Sequence, residues 1–173
     1  MKIRLRQLRR PLRLLGERDR ETLLGELAHL TLYFLKDPRD LEGPLSRALA
    51  LYPEPFPERE ALRSRLREVL SRALSHPRMA EYFSSEGEDL REREFLKKGK
   101  KGLESLRPDR ILLKKDEVLV LEYKLHRPKE KRLYEDYQKQ LKEYLEGLRE
   151  VFPGRVRGVL VFLEPPEVEE VSP

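Results

Sequence analysis

Arg107-Pro-Asp-Arg-Ile-Leu-Leu-Lys-Lys-Asp-Glu-Val-Leu-Val-Leu-Glu-Tyr-Lys124 is the stretch around which the rest of the chain is organised. Two apolar runs, Ile111–Leu113 and Val118–Leu121, flank the charged Lys114-Lys115-Asp116-Glu117, which is the pattern of a β-hairpin. A two-residue turn at Lys115-Asp116 pairs 114 with 117. A four-residue loop from 114 to 117 gives the same pairing, since 113 then faces 118. Counting outwards sets Asp109 opposite Glu122, on one face and with Cβ atoms roughly 4.5–5.5 Å apart. Lys124, two residues beyond Glu122, shares that face. A three-residue loop would move Asp109 to the other face.

Two directly opposed acids destabilise a sheet unless a cation sits between them or one keeps its proton. Oxygen ligands suit hard divalent ions such as Mg²⁺, which retain waters and also bind phosphate. A lysine beside such an ion could orient or deprotonate its water. The simpler reading of an aspartate followed by Glu-x-Lys is a solvated surface hairpin, with Asp109 a turn residue after Pro108. The strongly apolar strand that ends at Glu122 argues against it.

The 173 residues suffice for one domain with a single hydrophobic core. Charged residues make up 40% and mean hydropathy is −0.72, yet the periodic apolar positions argue against disorder. This charge-rich, cysteine-free composition is common in thermophile proteins. Without cysteine there is no disulfide, no thiolate zinc site and no cysteine-held iron–sulfur cluster. The longest apolar run, Gly158–Leu163, is far too short to span a membrane. The basic start lacks the apolar region of a secretory signal, so a cytoplasmic protein is expected. A net charge of +5 and a pI of about 9.4 permit a polyanionic partner.

Residues 1–16 carry Lys2, Arg4, Arg6, Arg9, Arg10 and Arg13 and no acid, and read as a basic arm. Glu17 to about Leu35 reads as a helix with Leu23, Leu27, Leu30 and Phe34 on one face. His29 lies on the flank of that stripe, and Gly25, one turn before it, leaves the space beside it open. A mid-helix glycine costs about 1 kcal/mol relative to alanine, which hints at a close approach. A single helix histidine is more often structural.

Asp37–Pro44 reads as a break, Leu45–Leu51 as a short helix, and Tyr52–Pro57 as a linker. Arg59–Leu74 is a clear amphipathic helix stopped at His76-Pro77. Leu90–Leu96 switches to alternation and reads as a strand, followed by the charged loop Lys97-Lys-Gly-Lys-Lys101. After the hairpin comes the basic segment His126–Arg132. A long helix over Leu133–Phe152 then carries an apolar stripe, with Gln140 and Tyr144 as surface neighbours and Tyr137 close by. Pro153-Gly154 ends it. Val156–Leu163 is a last buried strand, and residues 164–173 form an acidic tail. A β3–helix–β4 crossover implies parallel strands in a mixed sheet.

Pro108-Asp109 followed by Glu122-Tyr123-Lys124 resembles the PD-(D/E)xK nuclease signature in the form carried by RecB and AddA nuclease domains. Three neighbouring motifs extend the resemblance in the right order. Gly25-Glu-Leu-Ala-His29 resembles the G-x-x-x-H that opens those domains. Arg91-Glu92-Arg93-Glu94-Phe95 looks like their arginine-glutamate-x-x-phenylalanine strand, and Gln140-Leu-Lys-Glu-Tyr144 like their Q-x-x-x-Y. Glu122 stands where those domains usually have aspartate, though the wider superfamily accepts either. The resemblance covers about residues 17–163.

It implies an αβββαβ restriction-endonuclease-like core, a mixed sheet flanked by helices with extra N-terminal helices, in a single domain over 1–173. It further implies a Mg²⁺- or Mn²⁺-dependent DNA nuclease of repair or recombination that leaves 5′-phosphate ends on single- or double-stranded DNA. Asp109, Glu122 and Lys124 would be catalytic. His29, Asp109, Glu122 and the Tyr123 carbonyl would hold the ion, with Glu92 a weaker supporting acid. Gln140, Tyr144, Tyr137, Lys100, Lys101 and Arg127 would meet the substrate. No P-loop accompanies these motifs, so a helicase or repair partner would be a separate protein. The alternative is a non-catalytic nucleic-acid- or partner-binding module, or a subunit active only within a helicase assembly.

Overall fold

A computed structural model describes residues 17–51, 58–83, 87–92, 94–99 and 102–172. The basic arm at 1–16, the linker at 52–57, and Lys100 and Lys101 lie outside the described residues. Along the chain run helices α1 (Glu17–Phe34), α2 (Glu42–Leu51) and α3 (Arg59–Leu74), then a 3₁₀ turn (Met79–Phe83). Strands β1 (Glu88–Arg91), β2 (Phe95–Gly99), β3 (Gly102–Leu106), β4 (Arg110–Leu113) and β5 (Glu117–Lys124) follow. Helix α4 (Lys131–Arg149) and strands β6 (Arg155–Leu163) and β7 (Pro166–Val171) complete the fold.

The hairpin is β4–β5, in the register read from the sequence: Arg110 pairs with Leu121 and Leu113 with Val118, closed by Lys114 N–H to the Glu117 carbonyl at 2.8 Å. β5 is central in a five-stranded sheet of order β1-β4-β5-β6-β7, and pairs in parallel with β6 through the α4 crossover. Both faces of β5 are covered, which explains its unbroken apolar run. Leu119, Leu121 and Tyr123 face a core built with α1, α2 and α3, whereas Val118 and Val120 face α4. Each such fully buried aliphatic side chain contributes about 1.5–3 kcal/mol. Gly158 on β6 lets α4 come close: a Cβ there would lie 2.9 Å from Leu141 Cγ and from Leu145 Cδ1. The mixed, helix-flanked sheet is the restriction-endonuclease-like α+β core expected, with its added N-terminal helices. Among the described residues no helix is long and apolar enough to cross a membrane.

Several local expectations change. The single strand at Leu90–Leu96 is two strands, interrupted at Glu92–Glu94. Glu92 takes φ +49, a region L-residues rarely adopt, while its N–H still reaches the Asp109 carbonyl at 3.0 Å. The pairing offset nonetheless persists across the gap, from Arg91↔Arg110 to Phe95↔Leu106. Lys97, Lys98 and Gly99 of the expected charged loop therefore belong to strand β2, which pairs with β3 as the outer half of a ribbon. The acidic tail is mostly strand: β7 pairs antiparallel to β6 and buries Val171, since the charges of Glu167, Glu169 and Glu170 find arginine or tyrosine partners. Gly43-Pro44 does not break the chain but lies in the first turn of α2, where proline's missing N–H has no partner to lose. On α1 the buried face centres on Leu23, Leu24, Leu27, Ala28, Thr31 and Leu32, with Leu30 and Phe34 at its margin. α4 begins at Lys131, two residues before its expected start, and Leu133 is exposed there.

Candidate functional site

The register that pairs Arg110 with Leu121 carries Asp109 to a position across from Glu122. The two carboxylates do not face each other idly. One oxygen of Asp109 accepts the Tyr123 backbone N–H at 2.7 Å and lies 3.4 Å from His29 Nε2. Glu122 Oε1 binds Lys124 Nζ at 2.8 Å. The two carboxylates thus rest on separate donors, Asp109 on the Tyr123 N–H and Glu122 on the Lys124 ammonium. Among the described residues no three His, Asp or Glu side chains form a ready metal cluster.

The α1 helix brings His29 to the end of β5, across a long sequence separation. Its Nε2 donates to the Tyr123 carbonyl at 2.8 Å and its Nδ1 to the Gly25 carbonyl at 2.9 Å. Burial works against the charged ring, but the hydrogen bond and charge of Asp109 and the two carbonyls outweigh it and raise the pKa to about 9. A Cβ added at Gly25 would lie 3.9 Å from the Leu125 side chain, an ordinary contact distance. The expected close approach at Gly25 is therefore not present, and its carbonyl is what serves His29.

Glu122 is 4% exposed, and its Oε2 is buried with no hydrogen-bond partner among the described residues. Burial and the Asp109 charge push its pKa up to about 7, against the pull of Lys124 and His29. Lys124 Nζ sits 3.4 Å from Gln140 Oε1 and 4.6 Å from the centre of the Tyr137 ring. Gln140 donates to Tyr144 Oη at 2.8 Å, and that hydroxyl reaches the Arg107 carbonyl at 3.4 Å. Burial, then the Glu122 charge, raises the Tyr144 phenol to about 12, so it remains a donor. α4 thereby holds the lysine from one side and the residue before Pro108 from the other.

Glu92 donates its N–H to the Asp109 carbonyl at 3.0 Å and pairs its carboxylate with Arg107 at 2.8 Å. Burial and Asp109 raise its pKa. Arg127 stands apart from this group. Its guanidinium is held by Glu167 at 2.7 Å and Glu169 at 3.2 Å over the Tyr134 ring. The acids of β7, which the sequence reading left loose, are what occupy it.

Sequence reasoning missed a buried ion pair behind the site. Arg110, 2% exposed, binds Asp89 through two nitrogens at 2.9 and 2.5 Å and lies over the Phe83 ring. Arg91 joins the same carboxylate at 3.1 Å. The available signal was alternation: if Asp109 faces the site, Arg110 must face the core, and a buried arginine needs an acid.

The oxygen-rich donor set fits a hard divalent ion. A buried carboxylate oxygen without a partner beside a second carboxylate is the environment such an ion satisfies. One imidazole suits Mn²⁺ better than Mg²⁺. The sequence profile described as the PD-(D/E)XK nuclease superfamily matches residues 4–172. No curated protein matches the chain.

Proposed function

The chain belongs to the PD-(D/E)XK nuclease superfamily, and from that premise we propose that it is a metal-dependent DNA nuclease of the RecB/AddA type, acting in cytoplasmic repair or recombination. Members of the superfamily are generally nucleases that use divalent metals. The observation that carries the reading is the unpartnered Oε2 of Glu122, buried beside Asp109. Asp109, Glu122, the Tyr123 carbonyl and a deprotonated His29 are the groups that would hold Mg²⁺ or Mn²⁺. When bound, the ion supplies charge to polarise the phosphodiester and a water acidic enough to attack it.

Lys124 Nζ is fixed between Glu122 Oε1, Gln140 Oε1 and the Tyr137 ring, from where it would donate to an attacking water and to the scissile phosphate. Gln140 sets the lysine, and Tyr144 fixes the glutamine and the chain entering Pro108-Asp109. Glu92 steadies Asp109 through its backbone N–H. The spacing of Gly25 to His29 and of Gln140 to Tyr144 supports the RecB/AddA assignment within the superfamily.

The test incubates end-labelled linear and circular DNA, and RNA of the same sequence, with the protein in EDTA, Mg²⁺ or Mn²⁺. Metal-dependent cutting of DNA to 5′-phosphate ends is expected, and its loss in Asp109→Asn, which keeps an acceptor for the Tyr123 N–H. Binding without cutting under every metal condition would replace the nuclease with a binding module.

A further inference from the structure

The exposed side of α1 holds a feature that the catalytic groups do not use. Thr22, Glu26, His29 and Tyr33 fall in one line along the helix, at three- and four-residue steps. His29 reaches Asp109, and Tyr33 follows one turn later, about 5–6 Å along the axis. Tyr33 is 40% exposed. Its carbonyl accepts Arg91 Nη1 at 2.7 Å, which fixes the end of α1 beside the base of the ribbon, next to Glu92. Its ring packs edge-on to Phe34, with centroids 5.1 Å apart. Arg47 of α2 lies 4.2 Å over the other ring, and among the described residues it forms no ion pair.

A lone exposed tyrosine needs no explanation. This one stands a turn from the site, braced by a second aromatic, with a guanidinium that forms no ion pair among the described residues lying over that aromatic. Aromatic faces interleaved with cations are how proteins hold single-stranded nucleic acid, because every base has a face to stack and every linkage a charge. A duplex hides those faces. The catalytic carboxylates are also recessed, with side chains 15% exposed at Asp109 and 6% at Glu122, so a narrow strand reaches them more readily than a rigid duplex.

We infer that Tyr33 is a stacking platform for the nucleobase next to the scissile phosphate, with Arg47 meeting a neighbouring phosphate, so that the substrate is held as a single strand. The inference rests on the nuclease reading and deepens it by naming the substrate form.

The chain has no tryptophan, so Tyr33→Trp supplies a single stacking reporter. In EDTA, its emission is expected to be quenched by a short oligothymidine, while Tyr33→Phe binds as the parent does. Tyr33→Ala should lose roughly 5- to 100-fold in affinity for a labelled single strand, measured by anisotropy, and less for the matching duplex. Full binding of the strand to Tyr33→Trp with unchanged emission would overturn the inference, as would parental affinity in Tyr33→Ala. Cleavage by the parent, assayed alongside, separates the two levels. If the parent cuts DNA and Tyr33→Ala binds and cuts equally well, only the platform fails. If emission is quenched but the parent cuts nothing with any metal, the platform stands and the nuclease reading fails. A parent that neither binds nor cuts overturns both.

Discussion

Replacing Glu122 by glutamine should flatten part of the protein's pH dependence in the absence of metal. The folded-state pKa of this carboxyl is about 7 against a reference of 4.5, because burial and the Asp109 charge disfavour its ionised form. A raised folded pKa means that the native state binds the proton more tightly. The associated stability is full below the unfolded pKa and is lost as pH rises through the folded one. Between about pH 5 and about pH 8.5 the parent should lose on the order of 2–3 kcal/mol from this group. The side chain is almost wholly buried, so solvent screening does little to reduce the figure. Glu122→Gln lacks the titrating proton and should lack this slope; Lys124 forfeits a charged partner only above about pH 7, where the parent carboxyl is ionised. The assay is urea unfolding in EDTA of both proteins over that range. The quantity of interest is the change in their difference, which cancels the other titrating groups. A difference that stays constant from pH 5 to 8.5 would refute the strained, desolvated acid pair on which the site depends.

Mn²⁺ must displace protons from Glu122 and from His29, whose pKa values are raised to about 7 and about 9, so its affinity should climb steeply with pH across that window. Calorimetric titration at several pH values checks this, and a flat profile would remove both groups from the ligand set. Gly25→Ala should stabilise the fold by about 1 kcal/mol, since its Cβ would meet Leu125 at 3.9 Å. Gly158→Ala should destabilise it by about 1–3 kcal/mol, since its Cβ would stand 2.9 Å from two leucines of α4. Denaturation curves that rank the two the other way would contradict this packing. DNA affinity in Ca²⁺ should fall as salt rises. Charge reversal at Lys100 and Lys101 should weaken it more than Arg127→Ala, because Arg127 is already held by Glu167 and Glu169.

The sheet's centre was legible because its information is local. Ile111–Leu113, a short charged turn and Val118–Leu121 leave few possible registers, and burial of β5 on both faces removes the rest. The long helices were equally plain from their periodicity, and α3 has the expected limits. Where long-range partners decide, the sequence was silent. Glu167, Glu169 and Glu170 read as a solvated tail because nothing local reveals that Arg127, Arg78 and Tyr134 await them. The break at Glu92 was hidden by the alternation of Arg91 to Phe95, which looks the same whether a strand runs straight or turns at a positive φ. At the site, spacing alone gave the shared face of Asp109, Glu122 and Lys124, whereas His29 came from a family resemblance. Its bond to the Tyr123 carbonyl and its approach to Asp109 depend on how α1 docks against the end of β5, which no local pattern encodes.

Lys124→Met, assayed beside the parent on an end-labelled single strand with Mn²⁺, tests the central assignment most directly. Methionine keeps most of the buried stem while removing the ammonium that Glu122, Gln140 and Tyr137 hold in place. The variant should fold, bind Mn²⁺ as seen by electron paramagnetic resonance, bind the strand, and fail to cut it. Cutting at the parental rate would show that the chemistry lies elsewhere in the molecule.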